Sequence, residues 1–154
     1  MTNFNTLPND NNIQELIKAT FNTDLSLSGN WGYTKEEATI IQSLPKGMLL
    51  PELEHMITSI RSHLEMNLTQ KDEDRYGGIN ANEKNRETIV TKEGTFSKIT
   101  YEVTAMKETL YATFIKEYKE GYGKKDFNLT DHFKNRGKAT LTREIIHYFE
   151  VSQL

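Results

Sequence analysis

Residues 96–104 read FSKITYEVT, and this stretch decides the fold class. Ile99, Tyr101 and Val103 alternate with polar residues, which is the period of a strand with one buried face. The apolar residues that follow recur every four positions: Met106, Leu110, Phe114 and Tyr118. This second period indicates an amphipathic helix over 106–120. A strand that runs directly into a helix predicts a domain of mixed class.

A single helix over 95–120 is the competing interpretation of the same stretch. Phe96, Ile99, Val103, Met106 and Leu110 also fit steps of three and four residues. The density of Thr, Val, Ile and Tyr over 99–104 favours a strand, because β-branched and aromatic side chains pack well on a pleated surface. An all-α bundle remains the alternative fold class.

Working outward, the most regular helix is expected over about 51–68. Its stripe consists of Leu53, Met56, Ile57, Ile60, Leu64 and Leu68, and Pro51 suits a first helical turn. A shorter helix is expected over about 10–21, capped by Asn9 or Asp10. We expect a second short helix near Asp131 that ends at Gly137.

The remaining segments predict turns, loops and short strands. Residues 22–30 and 69–87 are polar and are expected to be loops, and residues 34–37 a turn before a strand that ends at Ile41. Residues 92–95 predict a hairpin turn between strands 88–91 and 96–104. Residues 142–151 fit either strand or helix, and we favour a strand that pairs with this hairpin.

The sequence therefore predicts an α+β domain in which two main helices, about 51–68 and 106–120, pack on a small, mainly antiparallel sheet. One domain is expected over residues 1–154, with residues 1–9 as a loose tail. The expected core is Leu53, Ile57, Ile60, Leu64, Ile99, Val103, Met106, Leu110 and Phe114. If buried, Ile60→Ala and Leu110→Ala should each cost about 2–5 kcal/mol.

Composition restricts the function. The absence of cysteine excludes disulfides, thiolate catalysis and zinc sites with sulfur ligands, and it fits the reducing cytoplasm. No stretch approaches the roughly 18 apolar residues that span a bilayer, so no membrane association is expected. A net charge of −3 argues against a dedicated nucleic-acid binder, although residues 124–143 carry 6 basic and 2 acidic side chains.

Motifs for catalysis or for cofactors are absent from the sequence. His55 and His63 lie eight residues apart on one helix, too far for one metal ion, and His132 and His147 are isolated. The serines lack the Gly-x-Ser-x-Gly elbow. The glycines around Trp31 lack the lysine of a phosphate loop. We therefore expect neither metal nor cofactor, and no indication favours an enzyme.

Five residues are candidates for contact with a partner. Trp31 and Tyr33 follow glycines in a turn, where they act either as anchors or as an aromatic recognition loop. Arg75, Tyr76 and Arg86 lie in or beside the long charged segment, and these residue types anchor protein interfaces. The sequence favours a small accessory protein that acts through a protein–protein contact surface, for example a module that inhibits its partner.

Two alternatives remain open. The first is an enzyme or a small-molecule binder with a site near residues 69–87, where histidines, Arg75, Tyr76 and Glu54 or Glu65 would converge. The second is weak nucleic-acid binding through residues 124–143, where phenylalanines lie among the basic side chains.

Overall fold

A five-stranded sheet organises the computed structural model, which describes residues 6–8, 12–68, 75–124 and 127–154. The strands are β1 (Leu27–Gly29), β2 (Thr39–Ile41), β3 (Tyr76–Val90), β4 (Thr95–Lys107) and β5 (Leu141–Glu150). Their order across the sheet is β1-β2-β5-β4-β3. The β2–β5 pair is parallel and the others are antiparallel.

The helices within the described residues are α1 (Ile13–Phe21), α2 (Leu50–His63), α3 (Glu108–Gly121) and α4 (Leu129–Ala139). A π-helical segment, Leu64–Leu68, continues α2. Together these elements confirm the α+β class, and the extended residues 95–107 and 141–150 exclude the all-α alternative.

The central hairpin forms where the sequence predicts it. Its turn closes with hydrogen bonds between Thr91 and Gly94, and Gly94 takes a positive φ of 152°. The expected loop over 69–87 is wrong from Tyr76 onward, because β3 begins there; residues 69–74 lie outside the described part. β3 lies at the edge of the sheet and its outer side is exposed. Its sequence therefore need not alternate between apolar and polar residues.

The other elements follow the predictions with small shifts. Helix 51–68 corresponds to α2 and its π-helical continuation, helix 106–120 to α3, and the strand near the C-terminus to β5, paired with β4. Asn12 caps α1, whereas Asn9 and Asp10 lie outside the described residues. The expected loop 22–30 contains the short strand β1.

The core lies between α1, α2 and one face of the sheet. Seven of the nine expected core residues are buried there or beside it: Leu53, Ile57, Ile60, Leu64, Ile99, Val103 and Met106. Leu110 is 43% exposed, so its assignment to the core is wrong. Phe114 is half-buried and faces α4. The aromatic residues of α3 divide between two neighbours: Phe114 and Tyr118 contact α4, whereas Tyr111 lies against β3.

Residues 1–9 are expected to form a loose tail, and the structure describes residues 6–8 of this segment. Within its described part, Leu7 is buried and its backbone N–H donates to the Tyr33 hydroxyl at 2.9 Å. Residues 1–5 and 9 lie outside the described part.

Candidate functional site

Several ionisable side chains are buried beneath the sheet, and ionisable groups in such surroundings often mark functional sites. On α2 and its continuation, Glu54, Thr58, Arg61 and Glu65 are all buried. Their steps of four, three and four residues place them on one helical face. This polar stripe runs beside the apolar stripe of the same helix and faces the sheet.

His147 of β5 is fully buried between two threonines. The Thr39 hydroxyl donates to Asn30 O at 2.7 Å, so it accepts from His147 Nε2 at 2.9 Å. Thr58 then donates to Nδ1 at 3.0 Å. This arrangement selects the neutral imidazole with its proton on Nε2. Burial, together with nearby Arg61, lowers the pKa of His147 well below its usual value.

Gly32 permits the close approach of this histidine. Its φ is +79°, and a Cβ added there would lie 2.2 Å from His147 Cδ2. The sequence predicts a glycine turn at this place, and the reason for the glycine is the imidazole of a residue more than a hundred positions away.

Arg61 is enclosed next to this site. Its guanidinium donates to Trp31 O at 3.1 Å and to Ile146 O at 3.0 Å, and it lies 4.5 Å from the centre of the Tyr33 ring. Burial lowers the pKa of Arg61, and Glu65, with a carboxylate oxygen 3.9 Å from Arg61 Nε, opposes that shift.

Glu65 joins three elements. Its carboxylate accepts from the Tyr33 hydroxyl at 2.5 Å and from Arg143 of β5 at 3.2 Å. Burial and the negative charge of Glu65 raise the pKa of Tyr33, so the phenol stays protonated and remains a donor. These contacts tie the segment after β1 and the start of β5 to the end of α2.

A second ionic group lies nearer the start of α2. Buried Glu54 accepts from Arg86 of β3 at 2.7 Å, and Arg86 also pairs with Glu83 at 2.7 Å. Burial lowers the pKa of Arg86, but its hydrogen bonds to Glu83 and Glu54 outweigh that effect and raise it. The arrangement fixes the position of β3 on α2.

This buried network is suited to locking the layers together. The cavities described below are lined by other residues. A reacting molecule has no access to Glu54, Arg61 or His147 through them. The network therefore joins α2 and its continuation to the covered face of the sheet, and the opposite face is the better candidate site.

We call that opposite side the open face. Burial alternates along β4: Ile99, Tyr101 and Val103 are buried, whereas the residues between them are half-exposed. The register places the outward residues side by side on three strands. They are Asn80, Asn82, Asn85 and Glu87 on β3, Lys98, Thr100, Glu102 and Thr104 on β4, and Thr142, Glu144, Ile146 and Tyr148 on β5.

A cavity of about 360 Å³ lies at one end of the open face. We call it the acidic cavity. It is lined by Lys35, Glu36, Ala38, Ile40, Glu93, Phe96 and Glu150. Phe96 and Glu150 are direct neighbours across β4 and β5, so the cavity continues the outward rows of those strands.

A smaller cavity of about 200 Å³ lies at the opposite end, where α3 and α4 approach the sheet. Arg136 and Tyr111 line it together with Asn80 and Thr104 of the open face. Tyr111 lies against Gly77 and Gly78, where a Cβ would come within 3.2 Å and 2.8 Å of the ring. The open face thus extends between an acidic end and an end that carries an arginine.

The structure separates the five residues that the sequence singled out. Trp31 is fully buried and Tyr76 is 6% exposed, so both pack in the core. Tyr33 and Arg86 belong to different ends of the buried network described above. Arg75 lines a third cavity of about 280 Å³, which also includes His63, Asn67 and Glu108. The segment near 69–87 therefore gathers His63 and Arg75, whereas Glu54 and Glu65 lie under the sheet.

The basic segment 124–143 is divided between a helix and a strand. On α4, Phe133 is 51% exposed and lies 5.7 Å from the Arg136 guanidinium, whereas Arg143 pairs with Glu65. His132 is buried at the α3–α4 contact, where its Nδ1 lies 2.9 Å from Glu117. Four aromatic rings surround it: Phe114, Tyr118, Phe127 and Phe133.

Two further properties concern only the described residues. No group of three or more His, Cys, Asp or Glu side chains that could hold a metal ion occurs among them. None of their helices is both long and apolar enough to cross a membrane. Comparison of the chain with protein-family models, with curated proteins and with solved structures gives no significant match.

Proposed function

We propose that this chain is a small accessory protein that binds another protein through the open face. The observation that carries the proposal is the contrast between the two sides of one sheet. The covered side is fixed by α1, α2 and the buried network, whereas the outward side leaves Ile146 38% exposed and Tyr148 half-exposed beside it on β5.

The charges on the open face support a role beyond stability. Glu102 and Glu144 are direct neighbours across β4 and β5, and like charges in that position destabilise a sheet. Lys84, 3.8 Å from Glu102, offsets only one of them. An arrangement that is unfavourable for folding is expected where a partner supplies the missing positive charge.

The net charge of this surface indicates the kind of partner. Within the described residues, the open face with the acidic cavity and Lys84 carries six carboxylates and three ammonium groups. Such a surface attracts a basic protein and speeds the encounter with it. The proposal includes a cytoplasmic location, since a chain without cysteine fits a reducing compartment.

Site-specific photo-crosslinking tests this function in the cells that make the protein. Tyr148 is replaced by p-benzoylphenylalanine. The matched control carries the same replacement at Tyr122, which is 66% exposed and lies between α3 and α4. We expect a discrete adduct from position 148 and none from 122. The crosslinked protein is then identified, purified and tested for binding.

The Ile146→Asp variant completes the test, because it removes apolar contact and adds like charge on the open face. We expect it to weaken binding of the purified partner by about tenfold or more, since 1.4 kcal/mol corresponds to one decade in affinity. An adduct from position 122 alone would instead favour a protein contact on the α3–α4 surface and contradict the open face.

A further inference from the structure

The acidic cavity has the composition of a site for one long basic side chain. Its floor is apolar, with Ala38, Ile40 and Phe96, and its rim carries Glu36, Glu93 and Glu150. A lysine or an arginine combines an aliphatic stem with a charged head, so it suits a site with an apolar floor and a charged rim. A volume of about 360 Å³ also lies within the range of about 300–1,000 Å³ for ligand pockets.

Among the residues that the structure describes, the rim carboxylates of Glu36, Glu93 and Glu150 have no cation within ion-pair distance. Hydrogen bonds to the Thr91 hydroxyl and to its own backbone N–H lower the pKa of Glu93, and Lys35 adds to the effect. Glu93 is therefore negative at neutral pH.

The chain itself places a cation in this cavity. The Lys35 ammonium lies 5.8 Å from the centre of the Phe96 ring, within the range in which the π-electrons of a ring attract a positive charge. Lys35 lies between β1 and β2, in the turn that follows Trp31 and Gly32. Its ammonium indicates the position that the charged head of another basic side chain would take.

We propose that the acidic cavity is the anchor site for one arginine or lysine side chain of the partner, and that Lys35 occupies the place of that side chain in the free protein. The proposal rests on the function proposed above and adds the chemistry of recognition. The incoming cation displaces the Lys35 ammonium from Phe96 and meets the three glutamates. Its aliphatic stem covers Ile40 and Ala38.

The test is an NMR titration with a pentapeptide that has a single arginine at its centre. The control peptide carries citrulline there, which has the same shape without the charge. We expect the arginine peptide to shift the signals of Ala38, Ile40 and Phe96. The citrulline peptide should bind at least about fivefold more weakly, because a charge-assisted hydrogen bond is lost.

Three variants distinguish binding of the arginine in the cavity from general attraction to an acidic protein. The double variant Glu93→Gln and Glu150→Gln should weaken binding of the arginine peptide about fivefold. The control Glu15→Gln with Glu52→Gln has the same charge change at exposed positions of α1 and α2 and should leave the affinity unchanged. Lys35→Ala should strengthen binding about threefold, because the competing cation is gone.

Equal binding of both peptides, or weaker binding to the Lys35→Ala variant, would overturn the anchor proposal. The experiments distinguish failure of the anchor proposal from failure of the proposed function. If position 148 yields a partner adduct but the cavity ignores arginine, only the anchor is wrong. If the cavity binds arginine but no adduct forms from position 148, the proposed contact surface is wrong.

Discussion

At the scale of single residues, the polar side chains under the sheet decide how the protein responds to acid. His147 is held as a neutral imidazole, with one nitrogen donating to Thr39 and the other accepting from Thr58. A second proton would turn the acceptor into a donor and would place a positive charge near Arg61. The folded state therefore resists protonation at this site.

The first prediction follows from this lowered pKa. An unfolded histidine takes up a proton below about pH 6.5, whereas folded His147 does not. Stability should thus be highest above pH 6.5 and should fall by up to about 1.4 kcal/mol per pH unit as the pH drops toward the folded pKa. Urea unfolding between pH 7.5 and 5.0 measures the slope.

His147→Gln is the informative variant, with His63→Gln on the exposed side of α2 as its control. The first should remove most of the slope between pH 6.5 and 5.0, and the second should leave it almost unchanged. An equal slope in the His147→Gln variant would show that another group controls the acid response.

The second prediction concerns Arg61, which binds two backbone carbonyls and stacks on Tyr33. Arg61→Ala leaves Trp31 O and Ile146 O without this donor, and it removes a cation that lies 3.9 Å from one oxygen of Glu65. We expect a loss of about 3–5 kcal/mol in the free energy of unfolding, as for a broken buried pair. Arg86→Ala should cost a similar amount, because it leaves the fully buried Glu54 without its cation.

Arg61→Lys tests whether shape matters as well as charge. A lysine side chain has a single nitrogen, so it cannot donate to both carbonyls as the planar guanidinium does. Chemical denaturation measures the free energy of unfolding of the Arg61→Lys variant. A value equal to that of the parent protein would contradict the role of the guanidinium.

The sequence held a signal for this network that its apolar pattern concealed. Three buried polar residues of α2 each follow a buried apolar one by a single position: Glu54 after Leu53, Thr58 after Ile57 and Arg61 after Ile60. Two parallel stripes on one helix indicate burial over nearly half its circumference. The partners on other elements, above all His147, cannot be inferred from spacing, because the topology of the sheet brings them there.

At the scale of elements, α2 and α3 share an amphipathic pattern but not an environment. On α2, Ile60 is 8% exposed and lies in the core, whereas no residue of α3 is fully buried. The period of α3 correctly predicts a helix. Which surface that helix covers depends on α4, whose weak apolar pattern gave no such information.

The third prediction compares alanine substitutions on these two helices. Ile60→Ala should still cost about 2–5 kcal/mol, because it opens space in the core. Leu110→Ala should cost no more than about 0.5 kcal/mol, since its side chain is already 43% exposed. Thermal and urea unfolding provide both values. A loss at Leu110 as large as that at Ile60 would contradict the position of α3.

β3 shows the limit of composition as a guide to strands. Its residues 82–88 read NEKNRET, which is typical of a loop, yet they pair with β4 throughout apart from a bulge between Glu83 and Asn85. An edge strand with charged residues avoids pairing with other chains. The prediction of a loop failed because the alternation of apolar and polar residues reflects a buried face. The sequence of β3 instead reflects its position at the edge of the sheet.

At the scale of the whole molecule, the sequence sufficed for the fold class, the central hairpin and the strand that closes the chain. It could not predict the parallel pairing of β2 with β5, which depends on residues far apart. For the same reason it missed the acidic cavity. Lys35, Phe96 and Glu150 come from three separate segments, and only the register of the sheet makes them neighbours.

The proposed contact surface requires that the two sides of one sheet differ, with one side packed in the core and the other open to a partner. Ile145 and Ile146 are adjacent on β5 and point to these opposite sides, with exposures of 7% and 38%. Because both positions carry isoleucine, the same substitution at each one differs only in the side of the sheet that it affects. The most direct measurement determines, for Ile145→Asp and Ile146→Asp, both the melting temperature and the yield of partner adduct from position 148.

We expect Ile145→Asp to lose the folded state, because a carboxylate would enter the core without a partner. Ile146→Asp should melt within a few degrees of the parent protein and yet lose the adduct. Unfolding of both variants would show that the outward side is not open. A folded Ile146→Asp protein with undiminished adduct would contradict the open face as the contact surface.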